Sequence, residues 1–253
     1  MSLLHVNFDS EALGRSVRMD VILPDGIFEN DAPVKTLYLL HGMTDDHTIW
    51  QRRTSIERYA DERNIAVVMP GTKLGWYTNA TMGENFYDYI GDELVRVSRA
   101  LFPCLSHRRE DTFIAGLSMG GYGAMKCALG HPELFAKAAS FSGALDIYGI
   151  TQLEEPLGPE HYWIDLFGPL EKIYGSENDL FAAAEKLKEE RPKLFMWCGT
   201  EDFLYDMNVK MHDHLLALGY DLAYSEGPGD HQWKYWDREI RNALDWMLGE
   251  VAE

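Results

Sequence analysis

Apolar and polar residues alternate from Arg15 to Leu23, with Val17, Met19, Val21 and Leu23 on one side. That period of two predicts a half-buried strand near a sheet edge, and Leu3 to Phe8 is expected to pair with it across the Asp9–Gly14 turn. Further along, short wholly apolar runs take over: Lys35–Leu40, Ile65–Met69, Thr112–Leu117, Ala136–Phe141, Leu194–Cys198 and Leu222–Ser225. Between them stand stretches of helical period, at Ser55–Arg63, Phe86–Phe102, Tyr122–Leu129 and around Tyr205–Leu218, with a last one from about Trp233 to Met247. Strands buried on both faces and separated by helices make a mainly parallel sheet, so the fold class is α/β, with antiparallel N-terminal strands and helices on both faces. Two segments break the rhythm. Gly71–Asn85 carries Trp76 and Tyr77, and Gly143–Asn178 carries Pro156, Pro159 and Pro169 with Tyr148, Tyr162, Trp163 and Phe167. Insertions of that length inside a compact domain usually serve function, so residues 143–178 are expected to form a small lid. No linker composition or internal repeat interrupts the 253 residues, which therefore read as a single domain.

Composition narrows the class of partner. The formal net charge is −18, and no Lys/Arg cluster exceeds a pair such as Arg52-Arg53 or Arg108-Arg109. That balance excludes nucleic acid and anionic membrane surfaces as partners and disfavours strongly acidic substrates. No apolar run approaches the roughly 18 residues of a spanning helix, and Met1 to His5 lacks the basic start of a signal peptide. Cys104, Cys127 and Cys198 are odd in number and widely spaced, which predicts free thiols in a reducing compartment, hence a cytoplasmic protein. That composition is compatible with a homo-oligomer.

The chemistry concentrates at Gly116-Leu117-Ser118-Met119-Gly120-Gly121, between the Thr112–Leu117 strand and a helix that begins with small residues. A serine at such a corner is held out of the sheet in a strained turn, the nucleophile elbow. Gly116 and Gly120 are expected to avoid a Cβ collision across that turn, and Gly121 and Gly123 to let the helix approach the sheet. The plainer alternative is a Gly-rich turn with Ser118 as helix N-cap. The two differ in whether Ser118 has a base and an acid.

Enzymes with this elbow carry those partners in the chain order serine, acid, histidine. Of nine histidines, His5, His41, His47 and His107 precede Ser118. His131 follows a helix end, His161 lies in the expected lid, and His212 and His214, two apart on a helix, face different ways. His231, in a Gly-Pro-Gly loop after the last strand, is left as the base. For the acid, Asp202 beyond the Leu194–Cys198 strand leads, with Glu201 and Asp206 as near alternatives and Asp146 as the outsider. The Met119 N–H at the helix N-terminus and the Met43 N–H, after the Tyr38–His41 run, are the expected oxyanion donors, with Gly42 permitting close approach. His41 is expected to anchor its loop. Trp50, Trp76, Tyr77, Tyr148 and Trp163 are candidates to line the substrate pocket.

With those residues identified, the chain resembles the esterase D and S-formylglutathione hydrolase-like branch of the α/β-hydrolases, and most of all bacterial tributyrin esterases. The resemblance spans nearly the whole chain. It rests on Tyr38–Met43, Val67–Pro70, Gly75–Tyr77, Phe113–Gly123, Ala139–Leu145, Trp197–Tyr205 and Gly229–Trp236. It implies the α/β-hydrolase fold and a serine carboxylesterase without cofactor or metal, acting on small neutral esters with acetyl- to butyryl-type acyl groups through Ser118, Asp202 and His231. Formylglutathione hydrolases usually carry a histidine before the nucleophile and another after the second glycine; here those positions are Leu117 and Tyr122. The departure favours ester over thioester, while acetyl-sugar and hydroxycinnamoyl esters stay open. Rival readings are a thioesterase or acyltransferase on the same fold, a non-catalytic binding or regulatory protein, which would typically have lost one of the three residues where none is missing here, and, more distantly, a metal hydrolase, for which no ligand spacing is seen.

Overall fold

A computed structural model describes residues 1–29, 31–81 and 83–249. Eight strands form one sheet in the order β1-β2-β4-β3-β5-β6-β7-β8. β1 (Ser2–Ser10) pairs antiparallel with β2 (Arg15–Leu23), and β2 pairs antiparallel with β4 (Ile65–Pro70). From β4 onward every pairing is parallel, through β3 (Lys35–Leu40), β5 (Thr112–Leu117), β6 (Lys137–Phe141), β7 (Lys193–Gly199) and β8 (Leu222–Gly227). The apolar runs become the strands because each is covered on both faces. Leu37 and Leu39 of β3 enter one core layer while Tyr38 and Leu40 enter the other, and β4 divides its residues in the same way.

Ten α-helical segments surround the sheet among the described residues: α1 (Ile49–Arg53), α2 (Ile56–Glu62), α3 (Phe86–Asp88), α4 (Leu94–Leu101), α5 (Met119–Gly130), α6 (Ile147–Thr151), α7 (Glu160–Phe167), α8 (Leu180–Lys186), α9 (Tyr205–Ala217) and α10 (Trp233–Leu248). α10 buries Trp236, Ile240, Ala243, Leu244 and Met247, an i, i+4, i+7, i+8, i+11 stripe, in the core layer it shares with Ile56 and Ala60 of α2. Each large apolar side chain so buried contributes about 1.5–3 kcal/mol. Gly249, at φ 76°, closes the helix in the left-handed conformation.

Two expectations need revision. The helix expected over Phe86–Phe102 is α3 and α4 joined by a π turn at Tyr89–Glu93. Gly91 there presses on the His131 ring so closely that a Cβ would stand 2.3 Å from its Nε2. The turn also buries Glu93, whose carboxylate accepts from Ser10 Oγ and from the Glu11 and Ala12 N–H groups of the β1–β2 turn. Residues 143–178 are not irregular either. They fold as α6, α7 and a 3₁₀ turn at Leu170–Lys172, and Trp163 and Phe167 of α7 pack edge-on against Trp76 of the 71–85 segment. The two insertions therefore bury each other's aromatic residues. Among the described residues no helix is long and apolar enough to cross a membrane.

Candidate active site

β3 lies between β4 and β5, and the connections leaving β3 and β4 run to opposite sides of it. Such a switch point opens a crevice at the carboxyl ends of the two central strands, where open α/β sheets hold their ligands. His41–Met43 leave β3 there and Ser118 leaves β5.

Ser118 sits at φ 53° and ψ −120°, a conformation that costs an L residue about 1–3 kcal/mol. The surroundings over-determine it. Its N–H donates to Phe141 O at 2.9 Å, and its carbonyl accepts from the Tyr122 and Ala144 N–H groups, each at 3.1 Å. The glycines flanking it permit the turn: a Cβ on Gly116 would lie 2.3 Å from Gly120 O, and one on Gly120 would lie 2.6 Å from His41 O. Gly121 does abut β6, through Ser140, but Gly123 faces the Tyr77 ring rather than the sheet.

Asp202 and His231 are drawn together by two loops that run against each other. Thr200 N–H donates to Gly227 O at 2.9 Å and Glu201 N–H to Gly229 O at 3.0 Å, while the Glu201 carboxylate accepts the Gly229 N–H. A Cβ on Gly199 would stand 2.1 Å from Gly229 O, so the approach needs glycine. His231 Nδ1 then lies 2.9 Å from Asp202 Oδ2 and 3.1 Å from Oδ1. The carboxylate has no solvent exposure, and its Oδ1 also accepts the Leu204 N–H at 2.9 Å. A carboxylate can only accept, so the Nδ1–H donates to it and Nε2 carries the lone pair. The ring is held between Phe203 and Trp236, each 4.8 Å away between centroids.

Ser118 and His231 line one cleft of about 190 Å³ with Gly42, Met43, Thr44, Asp45, Leu117, Trp233 and Trp236. Among the described residues no hydrogen bond joins the Ser118 hydroxyl to the imidazole; such bonds are often long before substrate binds. Met119 opens α5, so its N–H has no intrahelical acceptor. Met43 lies in the turn beside it, on the cleft wall.

His41 anchors the loop as expected. Thr72 N–H donates to its Nε2 at 3.0 Å, so the proton is on Nδ1, which donates to Gly42 O at 2.8 Å. Burial pushes its pKa down to about 4. The other acids considered have different roles: Asp146 caps α6 and pairs with Lys210 at 2.7 Å, Glu201 ties the loops together, and Asp206 lies in the first turn of α9.

The expected substrate contacts divide. Gly42 lines the cleft. Trp50 lies beneath it, donating to Leu40 O at 2.9 Å and meeting Trp233 edge-on. Trp76 donates to Tyr162 Oη at 2.9 Å and packs on Trp163, Tyr77 donates to His41 O at 2.8 Å, and Tyr148 packs at a tilt on Tyr174. None of these five aromatics borders the cleft, because each is drawn into packing between distant segments. The aromatic wall is Trp233 and Trp236, at the start of α10. Their sequence signal was position, two and five residues after His231. Among the described residues no three His, Cys, Asp or Glu side chains stand where they could hold a metal ion.

A family model described as a putative esterase matches residues 10–247. The chain is 34% identical over 262 residues to an acetyl esterase of Caldicellulosiruptor saccharolyticus, covering 98% of each chain. It superposes on the fluorophosphonate-binding serine hydrolase F of Staphylococcus aureus, solved with substrate bound, at a TM-score of 0.90 and 38% identity over 98% of each chain. An S-formylglutathione hydrolase of Staphylococcus aureus, solved as the apoenzyme, gives a TM-score of 0.85 and 37% identity, over 98% of this chain and all of that one (100%).

Proposed function

Since the chain belongs to this esterase family and is a serine-dependent carboxylic ester hydrolase on an α/β-hydrolase fold, we propose that Ser118, His231 and Asp202 carry out the reaction on short-chain acyl esters. The observation that carries the assignment is the buried Asp202 carboxylate fixing His231 with its free Nε2 on the wall of the cleft that Ser118 enters.

In the first step His231 Nε2 takes the Ser118 proton as the hydroxyl oxygen attacks the ester carbonyl. The N–H groups of Met119 and Met43 hold the oxyanion, each such donor being worth about 3 kcal/mol in the transition state. Collapse of the tetrahedral species expels the alcohol, protonated by His231, and leaves the acyl group on Ser118. Water, deprotonated by the same imidazole, then attacks the acyl-enzyme and releases the acid. Asp202 keeps the Nδ1–H tautomer and stabilises the imidazolium. His41 stays neutral and positions the Gly42–Met43 turn.

A cleft of about 190 Å³ is below the roughly 300–1,000 Å³ of pockets that hold drug-sized ligands, which favours acetyl to butyryl groups. The acetyl esterase relative points the same way. A cytoplasmic setting and a small neutral substrate complete the proposal. Cys127 and Cys198 are buried, and burial pushes the Cys127 thiol up to about 12, which suits thiols that stay reduced. Hydrolysis of an S-formylglutathione-type thioester is the second reading, supported by the likeness to the Staphylococcus aureus hydrolase.

The test is a series of chromogenic esters from acetate to decanoate, with a thioester beside them and the Ser118→Ala variant as control. Rates should peak at four acyl carbons or fewer and be lost in the folded variant. Retention of most activity by Ser118→Ala would end the assignment.

A further inference from the structure

Asp45 borders the catalytic cleft and has no part in the steps above. Its position is close. The point where a Cβ on Gly42 would stand lies 3.2 Å from Asp45 Oδ2 and 3.7 Å from Ser118 Cβ, which puts the carboxylate within about 7 Å of the serine, well inside unscreened Coulomb range. The side chain is half-buried, and among the described residues it forms no ion pair. Burial is the main cause that pushes its carboxyl up, to about 6, with Asp46 adding to it. Arg53, the Gly42 backbone and His231 oppose that rise. A partly desolvated carboxylate without an ion-pair partner is in an unfavourable state that a positively charged ligand would relieve.

We propose that Asp45 selects substrates by charge, favouring esters whose alcohol half carries a quaternary or protonated amine over those whose alcohol half is anionic. The inference rests on the reading of Ser118 and His231 given above. The leaving oxygen must come within hydrogen-bond reach of His231 Nε2 to receive its proton. Asp45 and His231 line the same cleft, so an alcohol whose oxygen reaches the imidazole brings its substituents near the carboxylate. Trp233 and Trp236 line the same cleft, and aromatic faces attract quaternary ammonium groups. The chain's net charge of −18 draws cations toward it. Neutral esters remain substrates, without the added attraction.

The experiment uses three acetates of similar size: acetylcholine as cation, 3,3-dimethylbutyl acetate as its neutral isostere, and 4-acetoxybutyrate as anion. Acetate release is followed by proton NMR for the wild type, Asp45→Asn and Asp45→Glu. Two substrates on one enzyme share any general loss of activity, so the ratio of their kcat/KM values isolates the charge effect. In Asp45→Asn the cation-to-anion ratio should fall at least tenfold, and Asp45→Glu should keep most of it. In the wild type the cation-to-neutral ratio should hold above pH 6 and decline below it as the carboxyl takes a proton. A wild-type cation-to-neutral ratio of one or less, or a ratio that Asp45→Asn leaves unchanged, overturns the proposal while turnover of the neutral acetate keeps the esterase site standing. Failure of the wild type to hydrolyse any of the three overturns the short-chain ester reading, full turnover in Ser118→Ala overturns the site itself, and either result takes the charge proposal with it.

Discussion

Replacing Asp202 by asparagine removes one charge and almost no volume, and its effect follows from where the two carboxylate oxygens point. Oδ1 accepts the Leu204 N–H at 2.9 Å, so in Asp202→Asn the amide carbonyl must stay there. The amide NH₂ then takes the place of Oδ2, 2.9 Å from His231 Nδ1. A donor at that position pairs only with an unprotonated Nδ1, which moves the imidazole proton to Nε2, the atom proposed to take the Ser118 proton. The ring is in the wrong tautomer, and correcting it sets two N–H donors against each other in a buried site. The same exchange costs serine proteases about 10⁴-fold in kcat, or about 5.4 kcal/mol at 1.36 kcal/mol per tenfold. The assay is kcat/KM on p-nitrophenyl acetate at pH 7–8, with near-ultraviolet circular dichroism to verify the fold and the rate of fluorophosphonate labelling as a second readout. Both rates should fall together. A folded variant that loses less than tenfold would refute the argument, because the buried carboxylate would then not set the tautomer.

Two further outcomes are expected. Ser118→Gly and Ser118→Ala should both be inactive, yet the glycine variant should be more stable by about 1–2 kcal/mol in urea denaturation, since only it relaxes the strain at φ 53°; equal stability would mean that the elbow stores none. His41 has its pKa pushed down to about 4 by burial, below the 6.5 of the unfolded chain. The unfolded state therefore binds the extra proton first, and stability present above pH 6.5 is lost as pH falls toward 4, by up to about 1.4 kcal/mol per unit. Glutamine can still accept the Thr72 N–H but does not titrate, so in urea melts between pH 7 and pH 4 the His41→Gln variant should lack that part of the acid loss. Parallel curves would show that His41 is not the group responsible.

The parts of the site that were legible in the sequence are those governed by local rules. A strand–Gly-x-Ser-x-Gly–helix run has few ways to fold, and the clash distances at Gly116 and Gly120 show why. Asp202 and His231 follow the carboxyl ends of β7 and β8, adjacent parallel strands, so the sheet order alone brings their loops together. Long apolar runs became strands because both faces of a parallel sheet are covered. The aromatic residues were not legible in that way. Trp50, Trp76, Tyr77, Tyr148 and Trp163 have the composition of pocket walls, yet each is held by a partner far along the chain, Trp76 by Tyr162 and Tyr77 by His41. A segment without periodicity does not encode which face of a ring meets solvent. The π turn at Tyr89–Glu93 was hidden for the same reason, since what it packs against and bonds to, the His131 ring and the β1–β2 turn, lies outside the helix.

By itself, then, the chain determined its layers, its strands and the strand ends at which Ser118, Asp202 and His231 stand, since these follow from side-chain period, steric exclusion at glycine and the one-way course of a parallel sheet. Only the folded state decided which aromatics wall the cleft, that Asp45 stands beside the serine, and which ring nitrogen of His41 and of His231 carries the proton. Those depend on contacts between residues scores of positions apart, where distance in space, desolvation and the direction of a hydrogen bond have no counterpart in linear order.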